Sequence, residues 1–381
     1  MKVVSTRKIN ERIMQLVESR QINVSLMIKL SMPIATEEIV FEDPALIKKV
    51  ADELQKNAGS EEYALSYDEY VMGAMVCTIL NDKSGAGTVP DMIIDQIVKN
   101  SHIYHAGELE DDPYYKNIRF EDQKSGEYGL TYKTFKPYEL FHYYTPVIFE
   151  DIMIPAIGTF DHEFRYPCIF QKDKVWMSVT PNEITTMQKP IKDAQGKVLT
   201  LGCGMGYYSY MVSEKDDVES VTIIERSEDV IKLFETYILP RFPHKDKIHI
   251  VQADAYEYIN ELNDGEYDYC FADLWFSNMD IGPYLRLKEI CKRYKSMKMS
   301  YWIEDGIIAT IMGYIYVSIL GAFYDNQGIK RPDIGAMGEE EAEKNRLIDK
   351  LLEKEEITKP EHVDYYMDPK NIIKLLEGTS I

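Results

Sequence analysis

The chain has 381 residues, 45% hydrophobic and 28% charged, the balance of a globular protein with enough apolar surface for one large core or two ordinary ones. With 64 Asp and Glu against 43 Lys and Arg, its formal charge is −21, and the acids are spread along the chain. That excludes an unassisted nucleic-acid binder, because phosphate contacts need clustered basic residues.

Residues 5–20 place Ile9, Ile13, Met14 and Val17 three or four apart, which predicts an amphipathic helix with Ser5 as its N-cap. The first eight residues lack a signal-like apolar run, and five cysteines (Cys77, Cys168, Cys203, Cys270, Cys291) show no C-x-x-C pairing, so reduced thiols and a cytoplasmic location are expected. Asp43-Pro44 reads as the cap and first turn of a helix reaching residue 55. Further helices are predicted at 67–80 and 91–98, interrupted by Gly85-Ala86-Gly87. From 101 to 144 the pattern turns to alternating aromatic and polar residues, favouring strands or irregular loops. His102 and His105 have no third partner at metal-site spacing, and no metal is expected. Residues 1–145 thus form an N-terminal helical and tyrosine-rich domain, expected mainly to pack, and otherwise to shape substrate access or form a homodimer contact.

A hairpin is predicted from 166–170 and 175–179, followed by Thr180-Pro181-Asn182-Glu183 as a helix start with Thr180 capping and Glu183 closing a capping box. Residues 197–201 are a short apolar run ended by Leu201-Gly202-Cys203-Gly204-Met205-Gly206-Tyr207. Glycines there let backbone N–H groups approach a ligand closely and open a helix whose start favours negative charge. The dinucleotide fingerprint G-x-G-x-x-G is not met, since Gly206 falls one place early and Tyr207 takes the slot for a small residue, which argues against NAD and FAD. Strands at 221–224, 248–251 and 267–272 follow, ending in Glu225, Asp254 and Asp273, so each delivers an acid to the edge where open α/β sheets bind ligands.

The glycine turn with Glu225, Asp254 and Asp273 resembles the ordered motifs of class I S-adenosylmethionine-dependent methyltransferases, and residues 218–231 resemble their spermidine synthase-like branch. The likeness covers roughly 80 residues well. It implies a Rossmann-like, doubly wound, mostly parallel sheet over residues 146–325, with S-adenosylmethionine as cofactor. Gly202, Cys203, Gly204, Gly206 and Tyr207 would border its methionine part, Glu225 and Arg226 its ribose, and Asp254 and Ala255 its adenine. Asp273 would lie at the reacting end as the catalytic residue, orienting the cofactor amine or the substrate, Trp275 and Phe276 would wall the substrate, and Thr180, Glu183 and Thr186 would roof the site. Aminopropyltransferases carry acids where this chain has Met205 and Phe276, which weighs against polyamine synthesis and leaves methyl transfer to a small molecule or protein. The alternatives are aminopropyl transfer and a non-enzymatic cofactor-binding protein. Asp112-Pro113-Tyr114-Tyr115 resembles the D/N-P-P-Y/F loop of amino-methylating enzymes, yet it precedes the glycines instead of following the fourth strand and reads as coincidence.

After the fourth strand come a predicted helix at 280–294 and a fifth strand at 297–304. Residues 306–324 carry no charge and approach the roughly 20 residues that span a bilayer. Acids flank the stretch on both sides, so a buried element with no membrane contact is expected. Residues 326–381 read as an acidic helical segment with helices near 339–354 and 369–377, and the sixth and seventh strands usual in the family are not apparent.

Overall fold

The computed structural model describes residues 1–37, 39, 41, 43–57, 65–80, 88–329 and 338–378; the predicted glycine interruption at 85–87 lies outside them. The chain divides into two compact units, Arg20–Asp254 and Met1–Ser19 with Ala255–Ile381. The first helix, Arg7–Leu26, runs past the predicted end and continues through a π turn because Leu26, Leu30 and Ile34 keep an apolar face in step and are buried. Its cap is Thr6 and not Ser5: the Thr6 hydroxyl accepts the Ile9 N–H at 3.3 Å, while Ser5 pairs with Asn10.

In the unit Arg20–Asp254, Asp43 caps the helix Pro44–Asn57 as predicted, through Ala45 and Leu46 N–H at 3.0 and 3.3 Å. Helix α1 (Tyr67–Leu80) opens with a reciprocal pair: Ser66 N–H donates to Glu69 and Glu69 N–H to the Ser66 hydroxyl. It is apolar around most of its circumference and buries Tyr70, Val71, Met72, Ala74, Met75 and Val76, which makes it the centre of this unit's helical core. The aromatic stretch resolves into strands β1 (Ser101–Tyr104), β2 (Gln123–Ser125), β3 (Tyr128–Phe135) and β4 (Phe141–Phe149), with a short helix α2 (Pro113–Asn117) between β1 and β2. Strands β5 (Ile152–Phe160), β6 (Phe164–Gln171) and β7 (Lys174–Ser178) complete a three-stranded sheet ordered β1-β5-β4 and an antiparallel sheet ordered β2-β3-β6-β7. Strand β7 is an edge strand, and its pairing with β6 skips Trp176 between Val175 and Met177. Helix α3 (Pro181–Asp193) follows. Thr180 does not cap it through its side chain; the extended Thr180 backbone leads into Pro181 and its carbonyl takes the Ile184 N–H.

Next come β8 (Gly196–Leu201), α4 (Tyr207–Ser213), β9 (Val218–Glu225), α5 (Glu228–Leu233) and β10 (Ile248–Gln252), with the strands parallel in the order β10-β9-β8. Val198, Leu199, Leu201, Val221, Ile223 and Ile224 are fully buried, as strands covered on both faces require.

In the other unit the alternation continues with α6 (Ala255–Glu261), β11 (Tyr269–Ala272), α7 (Ile281–Cys291) and β12 (Lys298–Tyr301), β11 and β12 being parallel. The uncharged stretch is one helix, α8 (Glu304–Gln327), with mean hydropathy 1.9 over its most apolar window. It is long and apolar enough to cross a membrane, but 61% of that window is buried inside the structure, under α9 (Glu339–Leu351) and the helix Pro369–Gly378. Among the described residues no antiparallel strand follows β12; Lys2–Val3 pairs in parallel with Glu356–Ile357.

Of the two histidines read from the sequence, His102 pairs with Glu108 at 2.9 Å, while His105 belongs with His162 to a charged chain in the unit Arg20–Asp254. His105 Nδ1 and Nε2 lie 2.7 Å from Asp161 and 2.9 Å from Asp68, and His162 bridges Asp161 and Glu110 at 2.7 and 2.8 Å. An imidazole facing a carboxylate on each nitrogen satisfies both only when doubly protonated. Hydrogen bonds to Asp161 and then Asp68 accordingly push the His105 pKa up to about 9. His162 is raised as well, since Asp161 and Glu110 outweigh the opposing burial. A raised folded pKa means that the stabilisation is complete below the ordinary value of 6.5 and fades as pH rises through about 9. His105→Gln should therefore lower the melting temperature at pH 6 and converge on wild type near pH 10. A deficit that stays constant across a pH series of circular-dichroism melts would show that the ring acts by packing instead.

Candidate functional site

Strand β8 ends in a turn in which Gly202, Gly204 and Gly206 all have positive φ, 101°, 49° and 73°. At two of them a Cβ would also be crowded. A Cβ on Gly206 would sit 2.3 Å from the Phe234 ring, and one on Gly204 would sit 2.7 Å from the Met177 methyl. Gly206 is thus the close-packing glycine, so the turn does this with one residue fewer than the dinucleotide fingerprint and Tyr207 is free to begin the helix. Gly206 N–H closes the turn onto the Cys203 carbonyl at 2.9 Å.

Glu225, at the end of β9, is buried and reaches this turn. One carboxylate oxygen accepts the Cys203 N–H at 3.3 Å and the other the Ser227 N–H at 2.8 Å. Its carbonyl takes the Ala253 N–H at 3.1 Å, which holds the end of β10, and so Asp254, alongside. Arg226 is exposed, with its carbonyl accepting from Gln252. Cys203 and Cys270 are buried, and burial raises both thiols well above their ordinary range, consistent with apolar filling.

Met205 is fully buried, and both its main-chain groups are taken by side chains. Its carbonyl accepts the Tyr114 hydroxyl at 2.6 Å, and its N–H donates to the Met177 sulfur at 3.2 Å. Tyr114 stacks edge-on against Tyr207 and Tyr210, with centroids at 5.4 and 5.6 Å. Asp112 caps α2 through the Tyr114 N–H at 2.8 Å and accepts the Tyr207 hydroxyl at 3.0 Å. Burial raises the Asp112 carboxyl; the Tyr207 hydroxyl and backbone N–H donors pull the other way. The Asp112–Tyr115 segment, set aside in the sequence for its position, is therefore docked on the glycine turn. Nothing local encodes a contact across 91 residues. Tyr115 adds a hydrogen bond to the Val179 carbonyl at 2.6 Å, just before Thr180. Thr180 and Glu183 are half-buried at the start of α3, which packs against α4, and the Thr186 hydroxyl bonds back to the Asn182 carbonyl.

In the other unit, Ala255 is buried at the start of α6 and Asp273 is half-buried after β11. Trp275 lies in the core: its indole N–H donates to the Trp302 carbonyl at 3.0 Å and its ring meets Tyr284 edge-on. Phe276 is 71% exposed. After β12, Ile303 has a φ of 47°, unusual for a β-branched residue, and Glu304 accepts from Lys288 at 2.8 Å and the Tyr284 hydroxyl at 2.6 Å. The available sequence signal for this group was Lys288 within the apolar face Tyr284, Leu285, Leu287 and Cys291. Among the described residues no group of His, Cys, Asp or Glu is placed to hold a metal.

Parallel strands joined by helices, with acids at their carboxyl ends, define a Rossmann-like α/β fold. No family model matches the chain, and no curated protein does. Among solved structures it is similar to spermidine synthase from Thermotoga maritima (21% identity, 36% of this chain and 52% of that one, TM-score 0.26). It is also similar to a spermidine synthase in complex with the transition-state analogue AdoDATO (15%, 49% and 68%, TM-score 0.29). A third is the PRMT1 enzyme–prozyme heterotetrameric complex of Trypanosoma brucei with AdoHcy (16%, 31% and 37%, TM-score 0.24). The chain spans about half the length of the Thermotoga protein.

The spacing around the turn separates its two crowded glycines. Gly206→Ala, which needs a strained φ and drives a methyl into a buried ring, should lower unfolding free energy by roughly 2–4 kcal/mol. Gly204→Ala meets only the flexible end of Met177 and should lose clearly less. Equal losses in urea denaturation would remove the packing account of Gly206.

Proposed function

We propose that the glycine turn and Glu225 bind the adenosyl cofactor S-adenosylmethionine and that the protein transfers its methyl group to a small molecule or protein. The observation that carries this reading is the Glu225 carboxylate, fixed at the end of β9 by the Cys203 and Ser227 N–H groups. A carboxylate offers about four acceptor sites. Two are engaged by the backbone, which leaves capacity for the paired hydroxyls of a ribose. The donor set therefore fits the group: a pre-oriented acid for the sugar, and glycines that let main chain approach closely.

When bound, S-adenosylmethionine supplies an electrophilic methyl on a sulfonium. The protein's part is to orient, to exclude water and to take up a proton where the acceptor starts protonated. Glu225 orients the sugar and Asp254 meets the base. The assignment favours methyl over aminopropyl transfer because position 205, where an amine-binding acid would be needed, holds a fully buried methionine.

Glu225→Ala and Asp254→Ala should each weaken S-adenosylmethionine binding about tenfold or more, since each leaves ligand donors unpaired. Calorimetry gives the answer directly. Two folded variants that bind as tightly as wild type would reject the site.

A further inference from the structure

One side chain occupies the space that the glycine turn opens. Met177 projects from β7 so that its methyl and sulfur lie 2.7 and 3.1 Å from where a Cβ on Gly204 would be, and its sulfur accepts the Met205 N–H at 3.2 Å. Its placement is built by the strand. Trp176 is the extra residue of a bulge, and bulges re-aim the neighbouring side chain. Strand β7 is the edge of its sheet, and Met177 is half-buried.

The bond it makes is the weak point. A thioether is a poor acceptor, whereas a carboxylate accepting an N–H makes one of the stronger hydrogen bonds in proteins. Methionine is also unbranched, with three rotatable side-chain bonds, so it can be moved without disturbing its neighbours. The Met205 carbonyl, in the next peptide unit, is already fixed by Tyr114, which anchors the residue on its other side while the sulfur leaves.

We propose that Met177 decides which ligands the glycine turn admits: it fills the space over Gly204 and holds the Met205 N–H, and it yields to a ligand that brings a carboxylate to that N–H. The proposal rests on the adenosyl-cofactor reading and deepens it. A nucleoside that carries an amino-acid end has to displace the sulfur to bind, a cost that one without that end does not meet.

The test is calorimetric titration of wild type, Met177→Ala and Met177→Leu with S-adenosylhomocysteine and with 5′-methylthioadenosine, which shares the nucleoside but lacks the carboxylate. Removing the side chain should tighten S-adenosylhomocysteine binding about fivefold and leave 5′-methylthioadenosine within about twofold of wild type. Leucine keeps bulk but offers no acceptor, and its gain should fall between; if the alanine variant does not fold, the sign of the leucine effect decides. Weaker or unchanged S-adenosylhomocysteine binding overturns the proposal by making Met177 a supporting wall, and an equal gain for both ligands overturns it by making the effect mere bulk. Binding of 5′-methylthioadenosine alone by all three proteins overturns the gate and leaves an adenosyl site standing. Binding of neither ligand by three folded proteins ends the cofactor reading together with the gate.

Discussion

The Glu225 carboxylate is the tie on which the carboxyl edge of the parallel strands depends. A buried acid must find donors, and here the donors are main-chain N–H groups from the glycine turn and from the start of α5. The consequence is geometric. The turn after β8 and the entry to α5 are bound to the end of β9 by one side chain, and the β9 carbonyl then fixes the end of β10 through Ala253. Three consecutive loops are thus held in register by one residue.

The repeated pattern was legible in the sequence wherever physics is local. Apolar runs ended by a glycine turn or by an acid gave the parallel strands, an aspartate before proline gave the cap at Asp43, and the uncharged run gave α8 and its burial. The order of acids after the strands was equally readable, because each follows its strand directly. What stayed hidden depends on tertiary contact. Asp112–Tyr115 reaches Met205, Met177 reaches Gly204, and His105 finds Asp68 and Asp161, all across distances in sequence that no periodicity spans. The cap predicted at Ser5 falls instead on Thr6, because a capping residue type is common at neighbouring positions and which one is used depends on how the chain enters the helix; Thr180 does stand at the N-cap, and only its side-chain bond is missing.

The tyrosines show how an acidic chain is held together with few cations. Phenols donate to main-chain carbonyls at Met205, Val179 and Pro283. Others donate to carboxylates: Tyr207 to Asp112, Tyr284 to Glu304, Tyr314 to Glu341 and Tyr366 to Glu355. A phenol satisfies an acid without adding charge and contributes a large apolar ring to the core in the same side chain. In a protein with 64 Asp and Glu against 43 Lys and Arg, these phenols are neutral donors to acids.

The pairing of Lys2–Val3 with Glu356–Ile357 has a consequence in time. During synthesis the strand at residues 2–3 emerges early and must wait until residue 357 has left the ribosome before it finds its partner. Helix α8 emerges before α9 and the helix Pro369–Gly378 that cover it, so its apolar face is bare in the interval. Closing so distant a pairing carries a loop-closure entropy cost, so the pairing and the cover of α8 are completed together at the end.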